Sequence, residues 1–142
     1  MLVVLSEKSR RNLNGVHPYL VSVVKGVVDL QVMDFSVNEG VRSVEKQREN
    51  IRKGVSKTMN SKHLVQPDGF AHAVDLYPYP VNMEAVNKGN AREIARFGLL
   101  AGLMISVGRA KGIVIKWGYD WDMDGQTLDH NFSDGPHFEL VL

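Results

Sequence analysis

Five histidines, His17, His63, His72, His130 and His137, stand in a chain with no cysteine. Thiol catalysis and cysteine zinc sites are therefore excluded, and any metal must be held by nitrogen and oxygen donors. Two of the histidines keep suggestive company. Ser61-Lys62-His63 lies in a loop entering a strand that reaches Asp75, and Asp134-Gly135-Pro136-His137 lies in a turn entering the last strand. Each places polar groups at the mouth of a sheet, where a metal can be held rigidly beside a loop that admits substrate. Two imidazoles and one carboxylate, with water in the fourth position, form a catalytic rather than a structural zinc arrangement. His63, Asp75 and His137 could supply that set, with Asp134 beside it as a general base.

His72 competes for the first position, because it lies only three residues before Asp75. In a strand, residues at odd separation point to opposite faces, which favours His63 and leaves His72 as the alternative. His17 and His130 match no such pattern. Asp120-x-Asp122-x-Asp124-Gly125 copies the first half of an EF-hand loop, yet its twelfth position, Asn131, offers no bidentate carboxylate. Calcium there stands beside the plainer reading of a solvated acidic turn. Trp117 and Trp121 read as packing residues before they read as a sugar platform.

The elements that position these groups follow from periodicity and punctuation. Ser6 followed by Glu7 and Ser9 starts a helix. Apolar residues at Leu13, Val16, Leu20, Val23, Val24, Val27 and Val28 continue at helical spacing. Pro18 either breaks this helix near His17 or opens a new one in its first turn. Phe35-Ser36-Val37 reads as a strand, and Ser43 to Lys53 as a polar helix ended by Gly54. From Val55 to Gly69 the chain is loop-like, before a strand over Ala71–Tyr77 that Pro78 and Pro80 stop. Asn90 caps a long helix to about Val107. Ile113–Trp117 and His137–Leu142 read as the closing strands. Helices mostly first and strands late predict an α+β fold, with N-terminal helices packed on a small, mainly antiparallel sheet.

At 142 residues with 44% hydrophobic and 23% charged content, the chain fits one globular domain, 1–142. Seventeen basic against sixteen acidic residues give a net charge of +1, no footprint for a nucleic-acid backbone. No stretch reaches the roughly 18 apolar residues of a membrane span. The apolar start, Met1–Leu5, precedes its charges, the reverse of a secretory signal. The expectation is a protein cytoplasmic when synthesised, which another factor must release if it acts outside.

The motifs Ser61-Lys62-His63, Ala73-Val74-Asp75 with Leu76-Tyr77-Pro78, and Asp134-Gly135-Pro136-His137-Phe138-Glu139-Leu140 together resemble the signature of the LAS-type zinc peptidases. That group includes the VanX and VanY peptidases, D-alanyl-D-alanine carboxypeptidases and the L-alanyl-D-glutamate endopeptidases of phage endolysins. Gly40-Val41-Arg42-Ser43 with Gln47 resembles the family's arginine motif. Lys116-Trp117-Gly118 with Asp120-Trp121-Asp122 resembles the segment before the final ligand in the phage enzymes. The likeness spans about Phe35 to Leu140. It implies the Hedgehog/D-Ala-D-Ala peptidase-like fold, Zn2+ on His63, Asp75 and His137, Asp134 as catalytic base, and Arg42 on the oxyanion. It further implies Ser61 as a substrate contact.

Two departures are visible. Many relatives carry Glu at the position of Asp134. The family's interval between first His and Asp is also shorter than the twelve positions from His63 to Asp75, so about 64–70 reads as an insertion with Pro67-Asp68-Gly69 as its turn. The resemblance implies a peptidoglycan stem-peptide hydrolase, closest to the L-alanyl-D-glutamate endopeptidases, as a single catalytic domain over 1–142 with no separate wall-binding unit. A monomer is expected. A D-alanyl-D-alanine carboxypeptidase is the runner-up, and a zinc-bearing binding module without turnover is the reading from another class.

Overall fold

Polar side chains begin every helix of the computed structural model, which describes residues 2–126 and 134–142. Helix α1 (Glu7–Asn12) starts at Ser6, whose hydroxyl accepts the N–H of Ser9. Helix α2 (Pro18–Leu30) starts at His17, whose Nδ1 accepts the N–H of Tyr19 at 3.0 Å. Pro18 takes the first helical position, where a missing N–H costs nothing. The proline therefore opens a second helix. Ser43 caps α3 (Val44–Arg52), and Asn82 caps α4 (Met83–Asn87), which the sequence pattern does not foretell. Asn90 caps α5 (Ala91–Ala110), a turn longer than periodicity predicts.

Strands β1 (Phe35–Glu39), β2 (Ala73–Pro78), β3 (Val114–Trp117) and β4 (His137–Val141) form one four-stranded sheet in the order β1-β2-β4-β3. Helices and strands interleave along the chain instead of separating into an early and a late half. All three pairings are nevertheless antiparallel, and the fold is α+β as expected. Leu20, Val23, Val24 and Val27 of α2 meet Leu100 and Met104 of α5 over Val74, Leu76, Phe138 and Leu140 of the sheet. Because strand residues alternate, Asp75, His137 and Glu139 fall on the face away from this core.

Two irregularities bear on that face. The β1–β2 register slips between Val37 and Glu39, so that Val37 pairs with Leu76 and Glu39 with Asp75. The extra residue of this bulge turns Glu39 onto the face of Asp75, which regular alternation would have denied it. The second irregularity is the loop over 64–70, which the sequence reads as an insertion. Val65 bridges Ala71, Gln66 N–H donates to Phe70 O at 2.9 Å, and His72 N–H donates to Lys62 O at 2.8 Å. The loop closes on itself. Its entry and exit are neighbours, so the added length does not separate His63 from Asp75. Among the described residues no helix is long and apolar enough to cross a membrane.

Candidate active site

Asp75 sits on the rung between Glu39 of β1 and His137 of β4, so three adjacent strands present three polar residues in one row. His63 joins from the loop, its backbone carbonyl accepting the N–H of Arg42 at 2.8 Å. His63 Nε2 lies 3.1 Å and His137 Nδ1 3.5 Å from Asp75 Oδ1. One donor atom from each residue lies within 4.8 Å of the other two.

The outer ring nitrogens explain why these atoms converge. His63 Nδ1–H donates to the Gly40 carbonyl at 2.8 Å, and His137 Nε2–H donates to Glu139 Oε1 at 2.9 Å. With those positions protonated, the second nitrogen of each ring faces the carboxylate, where either a proton or a cation can bridge the two. Burial alone would lower the pKa of His137, but hydrogen bonds to Asp75 and Glu139 push it up to about 9. Burial would likewise raise Asp75, yet hydrogen bonds from His137 and His63 hold it well below the usual carboxylate range. The donor set thus fits a divalent cation of the zinc type, which would replace the proton these groups otherwise share.

Asp134 lies beside this cluster with its pKa raised, by burial first and by the charge of Asp75 second. Its backbone is anchored: Asp134 N–H donates to Gly118 O at 2.9 Å, and Gly118 N–H donates to His137 O at 2.9 Å. Position 118 has to be glycine, because a Cβ there would stand 1.9 Å from the Asp134 carbonyl oxygen. Arg42 leaves the end of β1 toward α3. Its Nε–H reaches both oxygens of Glu39 at 3.1 Å, an Nη2–H also donates to Glu39, and Nη1–H donates to Gln47 Oε1 at 2.8 Å. The carboxylate partner of Arg42 is thus Glu39, three residues back at the end of β1. Ser61 Oγ accepts the N–H of His63 at 3.2 Å.

Arg42, Ser61, His63, Asp75, Asp134 and His137 all line one cleft of about 420 Å³. The six residues singled out from the sequence are brought together without exception. His72 stands elsewhere: its Nε2 bonds Asp68 at 2.7 Å, and its ring meets His17 at 5.3 Å. His17, Asp68 and His72 form a second close group. There, however, His17 Nδ1 already accepts the Tyr19 N–H, so its Nε2 carries the proton and faces Asp68 as a donor, not as a ligand. Trp117 packs on the core and donates its indole N–H to Gly135 O at 2.8 Å. Trp121, by contrast, borders the cleft, its ring 5.3 Å from that of His137. Carboxylate oxygens of Asp120, Asp122 and Asp124 also converge, but both oxygens of Asp120 accept backbone N–H groups, from Asp124 and Gly125. Asn131 and His130 lie outside the described residues.

Sequence reasoning missed Glu39, Glu139 and the Gly40 carbonyl as supports. Glu139 was within reach of pattern reading, since it lies two residues from His137 and strands repeat every second residue. Glu39 was not, because a bulge decides its face.

A sheet whose solvent face gathers a metal-type donor set, a separate carboxyl of raised pKa and an anchored guanidinium defines a class: hydrolases that activate water beside a cation. Comparison with known proteins narrows the class. Residues 1–141 match the phage L-alanyl-D-glutamate peptidase family, and the chain belongs to it. It is 28% identical over 141 residues to the L-alanyl-D-glutamate peptidase of Escherichia phage T5, covering 95% of this chain and 96% of that protein. The crystal structure of the Serratia marcescens L-Ala D-Glu endopeptidase ChiX superposes with a TM-score of 0.73 at 34% identity, covering 97% of this chain and 90% of the other.

Proposed function

We propose that the chain, as a single catalytic domain acting as a monomer, hydrolyses the L-alanyl-D-glutamate bond of the peptidoglycan stem peptide. The observation that carries the reading is the shared cleft, in which the donor set, Asp134 and Arg42 stand together in a member of the phage peptidase family. His63 Nε2, Asp75 and His137 Nδ1 would hold zinc. When bound, zinc supplies a Lewis acid that makes water acidic near neutral pH and polarises a carbonyl.

Each protein group then has a separate task. Asp134 takes a proton from the attacking water and returns it to the leaving amine, a role for which a raised carboxyl pKa is suited. Arg42 meets the negative charge that develops on the scissile carbonyl oxygen. Ser61 lines the cleft as a substrate contact. Gly40 and Glu139 fix the two imidazole tautomers. Calcium has no task in this reading, because the Asp120 turn folds on backbone donors of its own. The protein would be made in the cytoplasm and reach the wall after release by another factor.

Mass spectrometry of fragments released from purified Gram-negative peptidoglycan tests the reading. Free peptides beginning at D-glutamate, lost on chelation and restored by zinc, are expected. Release of terminal D-alanine alone would replace it with the carboxypeptidase reading.

A further inference from the structure

Glu39 is absent from every motif that marks the site, yet its carboxylate takes hydrogen bonds from both Nε and Nη2 of Arg42. A guanidinium has five N–H donors. Glu39 takes the Nε–H and one Nη2–H, and Gln47 takes one Nη1–H. Among the described residues, these bonds leave one hydrogen on each terminal nitrogen, at the tip of the group, unassigned. Gln47 is fully buried and fixed in turn, its Nε2 donating to Ser56 Oγ at 2.8 Å and Thr58 O at 2.5 Å. Glu39 is fixed by its rung beside Asp75, where only the bulge could put it. The same carboxylate approaches His63 Nδ1 at 3.9 Å.

We propose that Glu39 is a positioning residue, which clamps the inner edge of Arg42 so that its terminal fork is the part offered to the reacting carbonyl. The proposal rests on the peptidase reading above and adds a residue to it. The sign of the effect separates it from a charge argument. Glu39 is negative and weakens the field of Arg42, so on charge alone its neutralisation would speed the reaction. If orientation dominates, neutralisation slows it.

Glu39→Gln keeps the shape and one acceptor oxygen but sets an NH₂ group against the guanidinium. The expected result is a kcat fall of about tenfold with KM little changed, as befits the loss of a charge-assisted hydrogen bond that orients a group. Zinc content is expected to stay at the wild-type level, and Glu39→Asp to recover part of the rate. In an Arg42→Ala background, followed by fragment mass spectrometry over long incubation, Glu39→Gln is expected to cause no further loss, because its target is gone. An unchanged or faster Glu39→Gln enzyme would overturn the proposal, as would an equal fall in the Arg42→Ala background. Loss of zinc in Glu39→Gln would overturn it too, by placing the effect at His63. A wild-type protein that releases no peptide would instead fail the peptidase reading itself, before any variant is compared.

Discussion

Asp134 and Arg42 divide the proton and charge work of the cleft, and their variants are expected to differ. Asp134→Asn keeps the anchored backbone and removes the basic oxygen. It is expected to retain zinc while hydrolysis falls by about 10²–10⁴, the range of a general base. Arg42→Ala is expected to lower kcat by about 10²–10³ and leave KM nearly constant. Arg42→Lys should restore only part of this, since an ammonium can pair with Glu39 but offers no second edge. For the donor set, metal analysis of His63→Ala and His137→Ala is expected to show zinc lost, while His72→Ala keeps it. Strand parity favours His63 over His72, and the structure sets His63 Nε2 beside Asp75 while His72 bonds Asp68. Arg42 was legible as a residue, but its support was not, because the partner depends on a one-residue slip in register.

At the scale of elements, turns and caps were legible because they rest on local chemistry. Ser6, Ser43 and Asn90 cap the helices they announce, and Pro18 opens α2. Helix α4 was not, since five residues are too few to establish a period. The strand order was also beyond reading, as β4 inserts between β2 and β3 through contacts that no local pattern records. The segment joining β3 to β4 yields the sharpest element-level test. Gly118→Ala would drive a methyl into the Asp134 carbonyl, so Asp134 must move. A displacement of about 1 Å can cost about 10²-fold in rate, and that order of loss is expected in hydrolysis assays with zinc retained. Full activity in Gly118→Ala would mean that Asp134 is held by something else.

For the whole molecule, core and cleft lie on opposite faces of one sheet, so stability and chemistry can be perturbed separately. Leu20 is fully buried between α2 and the sheet. Leu20→Ala is expected to destabilise by about 2–5 kcal/mol in urea titration, through lost burial and the cavity left behind. The rate per folded molecule is expected to hold. The composition that placed the chain among globular proteins carried this much of the core, but which face of the sheet it covers became visible only with the helices in place.

The loop between Val65 and Ala71 invites a use unrelated to catalysis. Its two ends are tied together by the strand bridge and by the bond from His72 to Lys62, so a traveller along the backbone leaves the scaffold and returns to the same spot. Such a closed detour behaves as a socket. Lengthening a loop adds little entropic cost once its ends are fixed, and a guest segment seated between Gln66 and Phe70 would forfeit the Asp68 contacts while leaving the rungs beneath untouched. For an engineer that position is where a wall-targeting peptide could be grafted with the catalytic face left intact.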